Sequence, residues 1–240
     1  MILRHFPYKH PTFGSMRASK SSSHLYVSVY YWWHQYLLRN SDYRKTCTQG
    51  GTGPCSELYK HFGDVTSSDF KQWWTEGDRG AKLFADPPKP SIRVVGSGGE
   101  VGMSDSLPTR NTLILEVPLD LPINFLVKRF RAVLRKHHDG KRGKQAAQNS
   151  GALFQVTGKV DVQFLQIALM VWDERQANPK KPFWQIAQTL RIGGNSLLSD
   201  GDAPGEITDK KNVLTATASR YYRKANEMIQ LAGLGKFPHK

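Results

Sequence analysis

The chain has 240 residues, 39% apolar and 22% charged, which is enough for one large or two small domains with real cores and excludes a wholly disordered chain. Its 34 Lys and Arg against 20 Asp and Glu give a net charge of +14, so polyanions lead as partners: DNA, RNA or an anionic membrane surface. No run approaches the ~20 apolar residues of a bilayer span, and Met1 to Pro7 lacks the apolar core of a secretory leader. A cytoplasmic protein without a membrane partner is therefore expected.

Residues 1–24 end in the basic, Ser-rich run Met16-Arg17-Ala18-Ser19-Lys20-Ser21-Ser22-Ser23 and read as a flexible arm, with Met16 an alternative start. Residues 25–84 read as a helical, aromatic-rich domain. Val29, Trp32 or Trp33, Tyr36 and Leu37 recur at intervals of three and four, which predicts a helix with a broad aromatic face, ended by Asn40-Ser41-Asp42. A second, short helix from Glu57 to Phe62 stops at Gly63, and a third begins behind an N-cap at Ser68 or Asp69 and carries Phe70, Trp73 and Trp74. Trp and Tyr beside Lys and Arg can stack nucleobases, yet aromatics at helical spacing more often form a core, because each buries a large apolar area. Cys47, Cys55 and His61 spell C-x7-C-x5-H, without the four ligands and tight pairs of a zinc site. No metal and no cofactor are expected.

Asp86-Pro87-Pro88-Lys89-Pro90 cannot continue a helix and falls in a Pro/Gly linker over 85–111. Ser91 to Val95 reads as a short strand, and Gly96-Ser97-Gly98-Gly99 after it matches neither a P-loop nor a dinucleotide fingerprint. Residues 112–158 read as a strand–helix unit with a basic loop. Thr112 to Val117 is the strand, ended by Pro118. A helix then runs from Pro122 to about His138, with Ile123, Leu126, Val127, Phe130, Val133 and Leu134 on one face and Lys128, Arg131 and Arg135 opposite. It continues into Lys141, Arg142 and Lys144, so residues 128–144 hold eight Lys or Arg against one acid, Asp139, and form a phosphate-contact candidate. His137 and His138 point roughly 100° apart on a helix and read as surface residues, not shared ligands.

Residues 159–240 read as a helical nucleic-acid-binding domain. Asp161 caps a helix through about Ala177, with Phe164, Leu165, Ala168, Leu169, Val171 and Trp172 as its buried stripe. Pro182 starts a short helix with Phe183, Ile186, Ala187 and Leu190 on one side, broken at Gly193-Gly194-Asn195 and followed by a polar loop to Thr208. Asp209 is expected to cap the longest helix, Lys210 to Ala232, with Leu214, Ala218, Tyr221, Tyr222, Ala225, Met228, Ile229 and Ala232 inward. Its opposite arc offers Asn212, Thr215, Ser219, Arg220 and Arg223, with Lys210 and Lys211 in the first turn and Lys224 on the flank. Three helices with a short middle one and a basic last one resemble a helix-turn-helix domain, although the loop from 192 to 208 far exceeds the usual turn.

Tyr31-Trp32-Trp33-His34-Gln35-Tyr36-Leu37-Leu38-Arg39-Asn40 followed by Tyr43 resembles the W-E-[FY]-L-[RK]-R-N-x-x-Y opening of bacterial transcriptional-regulator-like proteins of plasmids and integrative elements, without the acid after the tryptophan. The resemblance implies an accessory protein of a mobile element. Glu57, Asp64, Asp69, Glu76, Asp173 and Glu174 are acid–base candidates by type alone, and no spacing matches a hydrolase or nuclease motif, so no enzyme is expected. The expected fold is mainly α with a small β component. The expected function is binding of nucleic acid, with duplex DNA favoured, as a helix-turn-helix regulator or accessory protein; a homodimer is an allowed arrangement. The alternative is a structural or RNA-binding protein that uses a broad basic surface without sequence specificity.

Overall fold

A computed structural model describes residues 5–13, 23–86, 115, 117–137, 150–156 and 160–238. The described helices are α1 (Ser23–Tyr26), α2 (Val29–Leu37), α3 (Ser41–Thr48), α4 (Ser56–Phe62), α5 (Phe70–Thr75), α6 (Arg79–Phe84), α7 (Ile123–His137), α8 (Val162–Ala177), α9 (Phe183–Thr189) and α10 (Pro204–Gly233). The fold is mainly helical. Among the described residues, β pairing is confined to two isolated bridges, His5 with Asp86 and Val156 with Phe237. The strands expected at 91–95 and 112–117 lie outside the described residues, apart from Leu115 and Val117.

Local chemistry sets the helix ends. Asp69 Oδ1 accepts from the Gln72 amide at 2.8 Å and Asp161 Oδ1 from the Phe164 amide at 3.0 Å, each satisfying a first-turn donor. α2 ends at Leu37, ahead of the stop expected at Asn40-Ser41-Asp42, and Asn40 instead caps α3, its Oδ1 accepting from the Tyr43 amide at 2.8 Å. Gly63 closes α4 at φ 64°. Gly80 of α6 lies against the Trp74 indole, where a Cβ would come within 2.2 Å of the ring.

The chain divides into two compact units, one comprising 1–88 with 147–240 and the other 89–146. In the first unit, the segments that the sequence separates as 25–84 and 159–240 share a single core. Trp33, Trp73, Phe62 and Phe84 from the N-terminal helices and Leu165, Ala168, Ala225, Ile229 and Phe237 from the C-terminal ones belong to one buried cluster. Trp33 is fully buried, with ring centroids of Phe84, Phe237, Phe62 and Phe154 at 5.3 to 6.2 Å. The aromatic stripe is thus core and not an open stacking platform. A second cluster, Val171, Ile186, Ala187, Leu214 and Ala218, joins α8, α9 and the first half of α10.

Residues 5–13, expected as part of a flexible arm, instead pack. Phe6 lies 5.9 Å from Trp74 and Phe13 lies 6.2 Å from Phe70 between ring centroids, while the Asp86 amide donates to His5 O at 2.8 Å. Three aromatics in a short segment, Phe6, Tyr8 and Phe13, supply apolar area that composition alone, dominated by the Ser-rich run after it, conceals. In the second unit, α7 follows Pro122, whose carbonyl accepts from the Phe125 and Leu126 amides, and none of its residues is buried.

Candidate nucleic-acid interface

α10 begins at Pro204, with Ala203 as N-cap and Glu206 in the first turn, so Asp209 is an interior residue and not the cap. Proline fits this first position because its missing N–H would be unpaired there in any case. Lys210 and Lys211 therefore stand in the second turn, away from the positive end of the helix dipole, which removes the electrostatic conflict implied by a start at Lys210. The connection from α9 runs over 190–203, still far longer than the roughly 3–4 residues of a helix-turn-helix turn.

That connection is ordered by side chains. Gln188 clamps Leu198, its Nε2 donating to the Leu198 carbonyl at 3.1 Å and its Oε1 accepting from the Leu198 amide at 2.9 Å. Leu197 and Leu198 pack on the second cluster. Gly193 is required at φ 141°, since a Cβ there would meet Leu214 Cδ2 at 2.5 Å. Asp202 accepts from the Ser199 amide at 2.8 Å and also pairs with Lys210.

Buried on α10 are Leu214, Ala218, Ala225, Met228, Ile229, Ala232 and Gly233. The outward arc carries exposed Asn212, Thr215, Arg220 and Arg223, with Ser219 half-buried between them. Its charge is smaller than the residue count implies. Lys210 bridges Asp202 and Glu206, the latter at 2.9 Å, and these carboxylates hold its ammonium above the usual lysine range while Lys210 holds Asp202 below the carboxylate range. Lys211 lies over the Trp184 ring, 4.6 Å from its centroid. Lys224 pairs with Glu227 at 2.8 Å. Asp209 and Glu227 are exposed on the same arc at roughly 100° per residue. Arg220 and Arg223 remain, one turn apart, with Arg220 over the Tyr221 ring at 5.7 Å.

α7 presents the other set. Lys128, Arg131, Arg135 and Lys136 are exposed, and none forms an ion pair with a described residue. Arg129 lies 5.4 Å from the Phe125 ring centroid. Lys141, Arg142 and Lys144 lie outside the described residues. The sequence picks out both sets of cations but cannot separate engaged from available ones, since Lys210 and Lys224 are neutralised by partners whose roles depend on where α10 begins and how it turns.

Each acid considered for catalysis has a structural partner. Glu57 pairs with Lys60, Glu76 with Arg79, Asp173 with Arg39 and Glu174 with Lys181, while Asp64 caps a turn through Thr66 and Asp69 caps α5. Buried Asp86 gathers residue types of a hydrolytic triad: Ser150 Oγ donates to its Oδ1 at 2.6 Å, and His5 Nδ1 lies 3.0 Å from its Oδ2. The order differs from a triad, in which histidine stands between serine and carboxylate as the base. Here the carboxylate stands between them and ties the chain near residue 150 to the N-terminal segment.

Cys47 and Cys55 are buried free thiols, and burial pushes Cys47 up to about 11, away from the nucleophilic thiolate. His61 meets Phe154 edge to face, with ring centroids 5.5 Å apart. No group of three or more His, Cys, Asp or Glu able to hold a metal occurs among the described residues. No described helix is long and apolar enough to cross a membrane. Comparison of the chain with protein-family models, with curated proteins and with solved structures finds no match.

Proposed function

We propose that the chain is a cytoplasmic nucleic-acid-binding protein that catalyses no reaction, and that duplex DNA lies against the outward arc of α10. The observation that carries this reading is the exposure of Arg220 and Arg223 one helical turn apart, on the arc that also exposes Asn212 and Thr215. Paired guanidiniums can fork onto phosphates or guanine edges, and amide and hydroxyl groups beside them suit base edges and backbone oxygens. The cations of 128–144 add phosphate contacts that raise affinity without reading sequence. A regulatory or accessory role in a mobile element agrees with the Tyr31–Tyr43 resemblance.

Selection of bound sequences from a random duplex pool, with Arg220→Ala/Arg223→Ala as control, tests the reading. Enrichment of a motif that the double variant fails to enrich supports it. Equal retention of all duplexes, unchanged in the double variant, refutes it. The exposed cations of α7 favour one competing reading, binding of nucleic acid without sequence preference. Filter binding of duplex DNA, single strands and structured RNA separates the two, because that reading requires little difference among them and a steep salt slope.

A further inference from the structure

α7 combines two properties that the α10 arc does not. Ile123, Leu126, Val127, Phe130, Val133 and Leu134 fall within about 120° of helix circumference at 100° per residue, and none of them is buried. Ile123 is 74% exposed and Phe130 36%. The remaining circumference carries Lys128, Arg129, Arg131, Arg135 and Lys136, and from Leu121 to His137 there is no acid. A soluble partner groove or a second copy of this helix would cover the apolar stripe. A second copy, however, would answer only the stripe and not the cations, which stand on the opposite side of the helix. An anionic lipid surface matches both properties at once, taking the apolar stripe among the acyl chains and the flanking cations at the headgroups.

We propose that α7 is an interfacial helix that docks the protein on anionic lipid surfaces. It lies in the plane of the interface, so it needs no spanning length. This goes beyond nucleic-acid binding and uses the apolar face of α7, which that function leaves unused.

The test is co-sedimentation of the full chain with vesicles of phosphatidylglycerol and phosphatidylcholine, and with phosphatidylcholine alone. Wild type is expected to partition onto the anionic vesicles only. Lys128→Gln/Arg131→Gln/Arg135→Gln should weaken partitioning by on the order of 100-fold. Ile123→Gln/Phe130→Gln/Leu134→Gln, which keeps every cation and good helix propensity, should weaken it about tenfold or more. The apolar variant should retain duplex DNA as well as wild type does, so failure here and failure of the nucleic-acid reading are told apart. Absence of binding to anionic vesicles overturns the proposal. So does binding that the apolar variant leaves unchanged, which would mark simple attraction of the basic run. A wild-type dimer that the apolar variant splits, with no vesicle binding, overturns it in favour of a second copy.

Discussion

α2 and α7 both show apolar residues at intervals of three and four, yet α2 buries everything except Tyr31 and Gln35 whereas α7 buries nothing. The difference lies in what fills the rest of each helix. Val29–Leu37 contains no Lys, Arg, Asp or Glu, so it can be covered on nearly all sides at no cost in desolvated charge. α7 carries five cations opposite its apolar stripe, and these must keep their water or find anions. Periodicity defines an apolar face; the opposite face decides whether the helix can be enclosed.

Truncating one aromatic on each helix exposes the difference most strongly. Trp33→Ala removes the largest fully buried side chain of α2 from among four aromatic neighbours and is expected to cost about 3–5 kcal/mol, against about 0.5 kcal/mol or less for Phe130→Ala on α7. Urea denaturation of both variants measures this. Similar losses would mean that α7 is packed in solution.

Enclosure of α2 also carries a pH dependence, through His34. It is 1% exposed, its ring lies 4.7 Å from that of Trp73, and its Nε2 has no partner. Burial, reinforced by the Arg39 charge, pushes its pKa down to about 3, below the roughly 6.5 of an unfolded histidine. Protons therefore bind the unfolded chain preferentially. The stability from the neutral buried ring is whole above about pH 6.5 and is lost as pH falls from there towards 3. Denaturation midpoints should drop across that window in wild type and drop less steeply in His34→Leu; equal steepness would show that His34 does not govern it.

A smaller effect concerns the joints between segments distant in sequence. Asn40 caps α3 and, through Nδ2, donates to the Ile229 carbonyl at 2.9 Å. Arg39 forks onto Asp173 with two bonds of 2.7 Å, and Tyr36 Oη donates to the Leu165 carbonyl at 2.9 Å. The Tyr31–Tyr43 motif thus fastens α2 and α3 to α8 and α10. Asn40→Ala is expected to cost about 1–2 kcal/mol, and Asn40→Asp, which keeps the cap but loses the bond to Ile229, less. Equal losses by thermal or urea melting would assign the whole effect to the bond with Ile229.

These joints mark where the sequence stops being legible. Caps at Asp69 and Asp161 and the inward stripe of α10 follow from spacing and residue type, because their partners lie within a turn or two. Pro204 and Glu206 were equally local signals for the start of α10, but the Asp209-Lys210 pair imitates a cap followed by a first turn. The Arg39–Asp173 fork has no local signature, nor does the union of 25–84 with 159–240, since the stripe of each segment is satisfied by the other.

The smallest predicted effect tests whether lysines on α10 are as available as those on α7. Lys210 is held by Asp202 and Glu206 and has no phosphate contact to lose, so Lys210→Ala should leave the salt slope unchanged, any loss of duplex DNA affinity coming from the two carboxylates it bares. Arg223→Ala should lower that slope by about one, and the Arg220/Arg223 double variant by about two, as each loses a phosphate contact. Measuring log affinity against log salt separates these cases even where the affinities nearly coincide. A slope reduced by Lys210→Ala would mean that DNA draws the ammonium from its carboxylates, and that the α10 cations act as a reserve opened by the ligand, in contrast to the standing positive face of α7.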